Sequence, residues 1–196
     1  KAFITEEEAV AYMNDEDIIL RDYITPLLKE DKVVAFVDGS FDAKKRVYGY
    51  GAYILAPNSS KPVELCGKGD KHVDLRNIAG EILSVINAVD WVWKNGYDKV
   101  VIFHDYEGIS KWANGEWEAN KGLSRFYQAF IEEKRELLEI DFIKVSGHSN
   151  NAYNDKADAL AKSAIAENKV MRDQGGNGGF IISNVKEDDI LEMLGK

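Results

Sequence analysis

Two similar runs of the sequence, KVVAFVD at 32–38 and KVVIFHD at 99–105, each end in an aspartate. Both runs are rich in β-branched and aromatic residues, which is typical of buried strands. If the two strands are parallel neighbours, about 4.8 Å apart, they end level and bring Asp38 and Asp105 to one edge of the sheet. Open α/β sheets bind ligands beyond the carboxyl ends of their strands, so this edge is the candidate functional site.

Each aspartate also has a simpler explanation. Asp38 stands before Gly39, which is typical of a turn that closes the first strand, and Asp105 could cap a following helix. A third acid favours the functional interpretation, because Glu81 lies beside the buried stripe of a predicted helix. Three crowded carboxylates repel one another and would have raised pKa values unless a cation is present. Oxygen ligands without a Cys or His cluster indicate Mg²⁺ or Mn²⁺.

The segment NDKADALAKSA offers two candidates for a fourth ligand. Its apolar positions mark the inner face of a helix, and Asp158 lies beside that face, one turn before Ala161. Asp155 lies in the first turn, where it suits stabilisation of the helix dipole. The helical phase therefore favours Asp158 as the ligand, with Asp155 as a structural residue.

The elements that must position these acids follow from periodicity and turn signals. Three strands at short spacings predict a meander, and strands that alternate with helices then follow, which predicts an α/β fold with a mixed sheet. The expected strands are 33–37, 48–55, 63–69, 99–105 and 141–147. The expected helices are 75–94, a short one within 106–117, a longer one within 123–138, and a last one within 154–169.

The chain has 196 residues and a net charge of −9, which by itself argues against a nucleic-acid partner. The charge is concentrated at the ends, because residues 1–31 carry 9 acidic and 3 basic side chains. We expect three parts: an N-terminal appendage or linker at 1–31, a catalytic domain at 32–168, and a C-terminal extension at 169–196 after a glycine-rich linker. Within the first part, ITEEEAVAYMND predicts a helix, and DEDIILRDYITPLLKE predicts a second short helix or a linker.

The motifs VDGSFD, NIAGE, HDYEG, SGHS and NDKADALA, in this order and spacing, resemble those of type 1 ribonuclease H over about 32–165. The resemblance implies a ribonuclease H-like fold, a five-stranded mixed sheet with helices on both faces. It also implies an endonuclease that cleaves the RNA strand of RNA/DNA hybrids with two divalent ions, leaving 5′-phosphate and 3′-hydroxyl ends. The family's four carboxylate ligands correspond to Asp38, Glu81, Asp105 and Asp158.

Other functional positions are implied by the same resemblance. The family's loop histidine, which assists proton transfer or product release, corresponds to His148; alone, it would be interpreted as an exposed loop residue. Substrate contacts are expected at Gly39, Ser40, Asn77 and Asn154. His104 is expected to be structural, and Trp112 and Trp117, although near the family's substrate groove, are expected in the core.

Two departures from the family pattern concern substrate affinity. The basic protrusion of some bacterial members is absent, since WANGEWEANKGLSRF is short and carries two glutamates. Residues 1–14 faintly resemble the end of the viroplasmin-like hybrid-binding domain that precedes the catalytic domain in a subgroup. In that case, most of the affinity for nucleic acid would lie upstream of this chain.

Composition excludes several classes of protein. A single cysteine, Cys66, cannot form an intramolecular disulfide, which fits a reducing cytoplasm. No apolar run reaches the roughly 20 residues of a membrane helix, so we expect no membrane partner. We also expect a monomer. The alternatives are another two-metal nuclease of the same fold, such as a junction resolvase or an exonuclease, and a catalytically silent hybrid-binding module.

Overall fold

Five strands form one mixed sheet in the computed structural model, which describes residues 20–120, 122–145 and 151–166. The sheet order is β3-β2-β1-β4-β5. The strands are β1 (Val33–Asp42), β2 (Val47–Leu55), β3 (Val63–Gly69), β4 (Lys99–His104) and β5 (Glu139–Lys144). The helices are α1 (Thr25–Lys29), α2 (Asn77–Lys94), α3 (Gly108–Ala113), α4 (Gly122–Arg135) and α5 (Ala152–Ala166). Single turns at Leu20–Ile24 (π) and Val73–Leu75 (3₁₀) precede α1 and α2.

The pairing of β1 explains why two distant aspartates meet. β1 pairs antiparallel with β2 and parallel with β4, and Phe36 is the register partner of Phe103. Continuing that register by two residues sets Asp38 opposite Asp105. The expected parallel neighbours are therefore confirmed. Both carboxylates lie just beyond the last β1–β4 register pair, although β1 continues past Asp38 and β4 ends at His104.

Alternate residues of β1 bury their side chains in two separate apolar clusters, as the two-residue period of a strand requires. Val33, Ala35 and Val37 pack with α2 and α4 on one face. Val34 and Phe36 pack with α5 on the other, where the Phe36 ring stacks on that of Phe103 with centroids 4.7 Å apart. The expected arrangement, with helices on both faces of a five-stranded sheet, is confirmed.

The turn expected at Asp38-Gly39 was wrong. β1 continues through both residues to Asp42, and the hairpin turn occupies 43–46. A carboxylate oxygen of Asp42 stabilises that turn by accepting hydrogen bonds from the main-chain N–H groups of Lys44 (2.9 Å) and Lys45 (3.0 Å). Gly39 is needed for a different reason, because a β-carbon there would collide with the main chain of α2.

The described part of the N-terminal segment contacts the sheet. Ile24 is fully buried in the cluster on the α5 face, together with Val34 and Phe36. The first helix expected in that segment lies outside the described residues, and the division of the chain at 31 and 168 stays a prediction. Within the described residues, no helix is long and apolar enough to cross a membrane.

Candidate active site

Three carboxylates converge where β1, β4 and α2 meet. Asp38 lies within β1, Asp105 follows β4 directly, and Glu81 lies in the second turn of α2. One oxygen of each lies within 4.8 Å of the others. Asp38 and Glu81 are buried, with 8% and 1% of their surface exposed. The side chains that the sequence singled out as a group are thus brought together.

Close contact between main chains places Glu81 in this group. A β-carbon at Gly39 would overlap the carbonyl oxygen of Asn77 and the amide nitrogen of Glu81, so α2 lies directly on the main chain of β1. Ser84, one turn further along α2, is fully buried and donates a hydrogen bond of 2.6 Å to the carbonyl oxygen of Asp38. These contacts fix α2 against β1 beside the acidic group.

The protein environment favours the protonated forms of two of these acids, Asp38 and Glu81. Burial, followed by the charge of Asp105, raises the pKa of Asp38 to about 7, although the main-chain N–H of Gly39 opposes the shift by donating a hydrogen bond of 2.6 Å. Burial, followed by the charges of Asp38 and Asp105, raises the pKa of Glu81 well above its usual range. The carboxylate oxygen Oε2 of Glu81 is buried without a hydrogen-bond partner.

Such a group of acids fits a divalent cation. Desolvation and repulsion raise the pKa values of Asp38 and Glu81 in the absence of a counter-charge, and a cation would relieve both effects. It would also supply a partner for the orphaned oxygen of Glu81. Carboxylate oxygens suit the hard ions Mg²⁺ and Mn²⁺. The chemistry of the donor set therefore agrees with the expected cofactor.

Asp158 lies near this group but is not one of the three. Its negative charge contributes to the raised pKa of Asp38. Its carboxylate forms an ion pair of 2.6 Å with Lys162, one turn later on α5. Asp155, in the first turn of α5, is exposed. The placement of the two aspartates follows the helical phase expected from the sequence.

The N-terminus of α5 is organised by two asparagines. The side-chain oxygen of Asn151 accepts hydrogen bonds from the main-chain N–H groups of Tyr153 (3.1 Å) and Asn154 (3.3 Å), as a helix cap does. Asn154 is 6% exposed, and its side-chain oxygen is buried without a hydrogen-bond partner. Asn151 was not among the expected site residues, although an asparagine directly before a helix is a recognised capping signal.

The remaining expected positions differ in their surroundings. Gly39 and Ser40 are half-buried beside Asp38, and Asn77 is exposed as the first residue of α2. His148 lies outside the described residues. His104 is fully buried, with ring nitrogen Nδ1 3.0 Å from the carbonyl oxygen of Tyr106, and burial lowers its pKa.

The two tryptophans near α3 do not share one environment. Trp112 packs against the core, as expected. Trp117 is 37% exposed, so its expected core position was wrong. Its ring contacts that of Trp112 with centroids 6.1 Å apart, and the Lys111 ammonium lies 5.1 Å from its centroid. The turn after α3 therefore leaves Trp117 partly exposed.

Known proteins resemble this chain in sequence and in fold. Ribonuclease H of Parvibaculum lavamentivorans is 26% identical over 147 residues, covering 70% of this chain and 94% of that protein. Ribonuclease H of Francisella tularensis subsp. novicida is 29% identical over 152 residues, with 71% and 94% covered.

Two solved structures share the fold. Ribonuclease H1 of the archaeon Halobacterium salinarum has a TM-score of 0.59 at 20% identity, covering 69% of this chain and 98% of its own. LC11-RNase H1, solved in complex with an RNA/DNA hybrid, has a TM-score of 0.55 at 18% identity, with 70% and 99% covered.

The family assignment depends on a match to the whole catalytic unit. The family model for RNase H matches residues 30–166, which include all five strands and the three converging acids. Enzymes of this family are ribonucleases that act on RNA/DNA hybrids and generally use divalent metals. By this match, the chain belongs to the ribonuclease H family.

Proposed function

We propose that the acidic group at the edge of the sheet hydrolyses the RNA strand of RNA/DNA hybrids and leaves 5′-phosphate and 3′-hydroxyl ends. The observation that carries the proposal is the convergence of Asp38, Glu81 and Asp105, with their oxygens within 4.8 Å, in a chain of this family. LC11-RNase H1 was solved with an RNA/DNA hybrid bound, which supports the same class of substrate here.

The residues that would hold two divalent cations are Asp38, Glu81 and Asp105, with Asp158 as the fourth ligand. Mg²⁺ is the proposed ion, and Mn²⁺ is the other ion that suits an all-oxygen set. Bound cations would supply Lewis-acid activation of a water nucleophile and charge stabilisation at the scissile phosphate. The chain itself supplies rigid orientation, because β1, β4 and α2 fix three of the four carboxylates.

Selection of RNA over DNA depends on the 2′-hydroxyl and on the shape of the duplex. The main chain at Gly39 and Ser40, directly after Asp38 on β1, is proposed to contact the ribose of the cleaved strand. Asn77, exposed at the start of α2, is proposed to contact the minor groove, and Asn154 to orient substrate beside Asp158. The proposed role of His148 is to assist proton transfer or product release.

Cleavage of a labelled hybrid by Asp38→Asn tests the assignment. We expect at least about 100-fold slower cleavage in Mg²⁺, because loss of even an outer partner of a metal ligand costs about 10–100-fold. Asp98→Asn is the matched control, since Asp98 is an exposed aspartate directly before β4, at the opposite end of that strand. Cleavage by Asp38→Asn at the rate of Asp98→Asn would overturn the proposal.

The choice of substrate needs a separate experiment. RNA/DNA, DNA/DNA and RNA/RNA duplexes, offered side by side with the RNA strand labelled at its 5′ end, should show cleavage of the hybrid alone. Preferred cleavage of DNA/DNA would indicate a resolvase or an exonuclease. Binding of the hybrid without cleavage in Mg²⁺ or Mn²⁺ would indicate a silent binding module, whereas cleavage that EDTA abolishes without loss of binding would show catalysis by a bound cation.

A further inference from the structure

A groove of about 460 Å³ lies beside the acidic group. It runs between the hairpin turn after β1 and the last described turn of α5. Three of its lining residues are lysines, Lys44 and Lys45 from the turn and Lys162 from the helix. One acid, Asp42, also lines it, so the lining carries three basic side chains and one acidic one. In a chain with a net charge of −9, this is a local excess of positive charge.

The groove lies next to the acidic group, although none of the acids of that group lines it. Ser40, which lines it, follows Asp38 on β1 by two residues. Lys162 lines it too, and its ammonium lies 2.6 Å from a carboxylate oxygen of Asp158. A polymer chain that crosses the acidic group can therefore enter the groove without leaving the protein surface.

The lysine ammonium groups are free to change partners. The side chains of Lys45 and Lys162 are 57% and 65% exposed. Lys45 lies 3.8 Å from Asp42, near the limit for an ion pair, and Lys44 has no ion pair among the described residues. Exposed pairs of this kind contribute little to stability, so a phosphate could replace the present partners at small cost.

We propose that this groove binds backbone phosphates of the RNA strand beside the scissile bond, an inference that depends on the proposed function. The strand that is cut must cross the acidic group, and its next phosphates are only one or two nucleotides away. The complementary DNA strand lies across the wide minor groove of the duplex. Lysine is a compact charge that attracts phosphate without recognising bases, so this contact positions substrate of any sequence.

Lys162 links the groove to the acidic group. In the absence of substrate its ammonium neutralises Asp158, the proposed fourth ligand. A cation at Asp158 competes with Lys162 for the same carboxylate, and a phosphate in the groove offers Lys162 a new partner. Binding of substrate and of cation should therefore support each other, and replacement of Lys162 by glutamine should weaken that coupling.

The test measures binding rather than turnover. Affinity of a fluorescent hybrid is determined by anisotropy across a range of salt, in the Asp38→Asn background with Mg²⁺, for Lys44→Gln, Lys45→Gln and Lys162→Gln. Each lost phosphate contact should reduce the slope of log K against log salt by about 0.7–0.9, which makes binding about 5–8-fold weaker at 0.1 M salt. Lys61→Gln is the control, because the β2–β3 turn lies at the opposite end of the sheet from Asp38.

A second experiment identifies which strand of the hybrid the groove contacts. Single uncharged methylphosphonate linkages replace individual phosphates in either the RNA or the DNA strand. We expect weaker binding when the linkage lies in the RNA strand beside the cleavage position, and no further loss when the triple lysine variant binds the same hybrid. Lysine variants that bind like Lys61→Gln, or a sensitive linkage in the DNA strand, would overturn the inference. Cleavage of the hybrid by the unaltered protein is measured separately. An error in the proposed phosphate contact of the groove is therefore distinguished from an error in the proposed function.

Discussion

Ser84 on α2 donates a hydrogen bond of 2.6 Å to the main-chain carbonyl oxygen of Asp38 on β1. The same hydroxyl accepts one of 3.0 Å from the N–H of Gly51 on β2. One fully buried side chain thus joins the helix that carries Glu81 to two strands of the sheet. The relative position of Asp38 and Glu81 depends on this joint.

Ser84→Ala should lower the free energy of unfolding by about 1–3 kcal/mol, because it removes the buried hydroxyl that bonds both the N–H of Gly51 and the carbonyl oxygen of Asp38. The rate of hybrid cleavage should fall as well, since α2 is held less firmly against Asp38. Chemical denaturation measures the first effect and single-turnover kinetics the second. Ser59→Ala, in the exposed β2–β3 turn, is the control and should change neither. Equal stabilities of the two variants would contradict the role of Ser84.

The pKa of Asp38 predicts how stability depends on pH when no divalent cation is present. Its pKa is about 7 in the folded protein and close to the ordinary aspartate value of 3.8 in the unfolded chain. Between these values the folded state binds the proton that the unfolded state has released, so the free energy of unfolding falls as pH rises from about 4 to about 7. Asp38→Asn removes this contribution.

Asp38→Asn should therefore be more stable than the unaltered protein at pH 8 in EDTA, by on the order of 2–4 kcal/mol, and should lose this advantage near pH 4. Urea denaturation at the two pH values measures the difference, with Asp98→Asn as control. Added Mg²⁺ should reduce the advantage, because only the intact acidic group gains a ligand. A variant that is destabilised at pH 8 in EDTA would disprove the raised pKa.

The two aspartates of α5 should differ in their effect on cleavage. Asp158→Asn should reduce the rate by at least about 10-fold, because it removes a proposed ligand. Asp155→Asn should retain most of the activity, since Asp155 is exposed in the first turn. Rates are compared at saturating Mg²⁺, and Mg²⁺ affinity is measured by calorimetry. Loss of activity in Asp155→Asn alone would reverse the assignment.

Gly39→Ala should separate α2 from β1. Its new β-carbon would overlap main-chain atoms of Asn77 and Glu81, which cannot move as a flexible side chain can. We expect a cost of about 1–3 kcal/mol in stability and a larger loss in the rate of cleavage, because Glu81 moves with the helix. Thermal denaturation and hybrid cleavage measure the two effects. An alanine variant with normal activity would show that the contact is not needed.

Much of the fold was predictable because it depends on local patterns. The apolar runs of β1 and β4 and the apolar stripe of α2 gave the strands and the helix, and the matching lengths of the two runs gave their parallel pairing. The carboxylates followed from the same patterns, since Glu81 lies beside the buried stripe and Asp158 beside the inner face of α5.

The features that were missed depend on contacts between distant elements. Asp38-Gly39 has the composition of a turn, but tertiary contact with α2 keeps both residues within β1. The role of Ser84 was also invisible, because a serine in a helix gives no sign that its hydroxyl will meet two strands. Trp117 was assigned to the core by its type, whereas its exposure depends on where the chain turns after α3.

The shared register of β1 and β4 limits how related proteins of this design can vary in length. Insertion of one residue before Asp38 in β1, or before Asp105 in β4, would turn that carboxylate to the opposite face of the sheet. Length changes are therefore tolerable only in connections such as the one between Leu55 and Val63, at the other end of the sheet. Engineered fusions or loop grafts should be placed there, because the register of the two strands fixes the positions of Asp38 and Asp105.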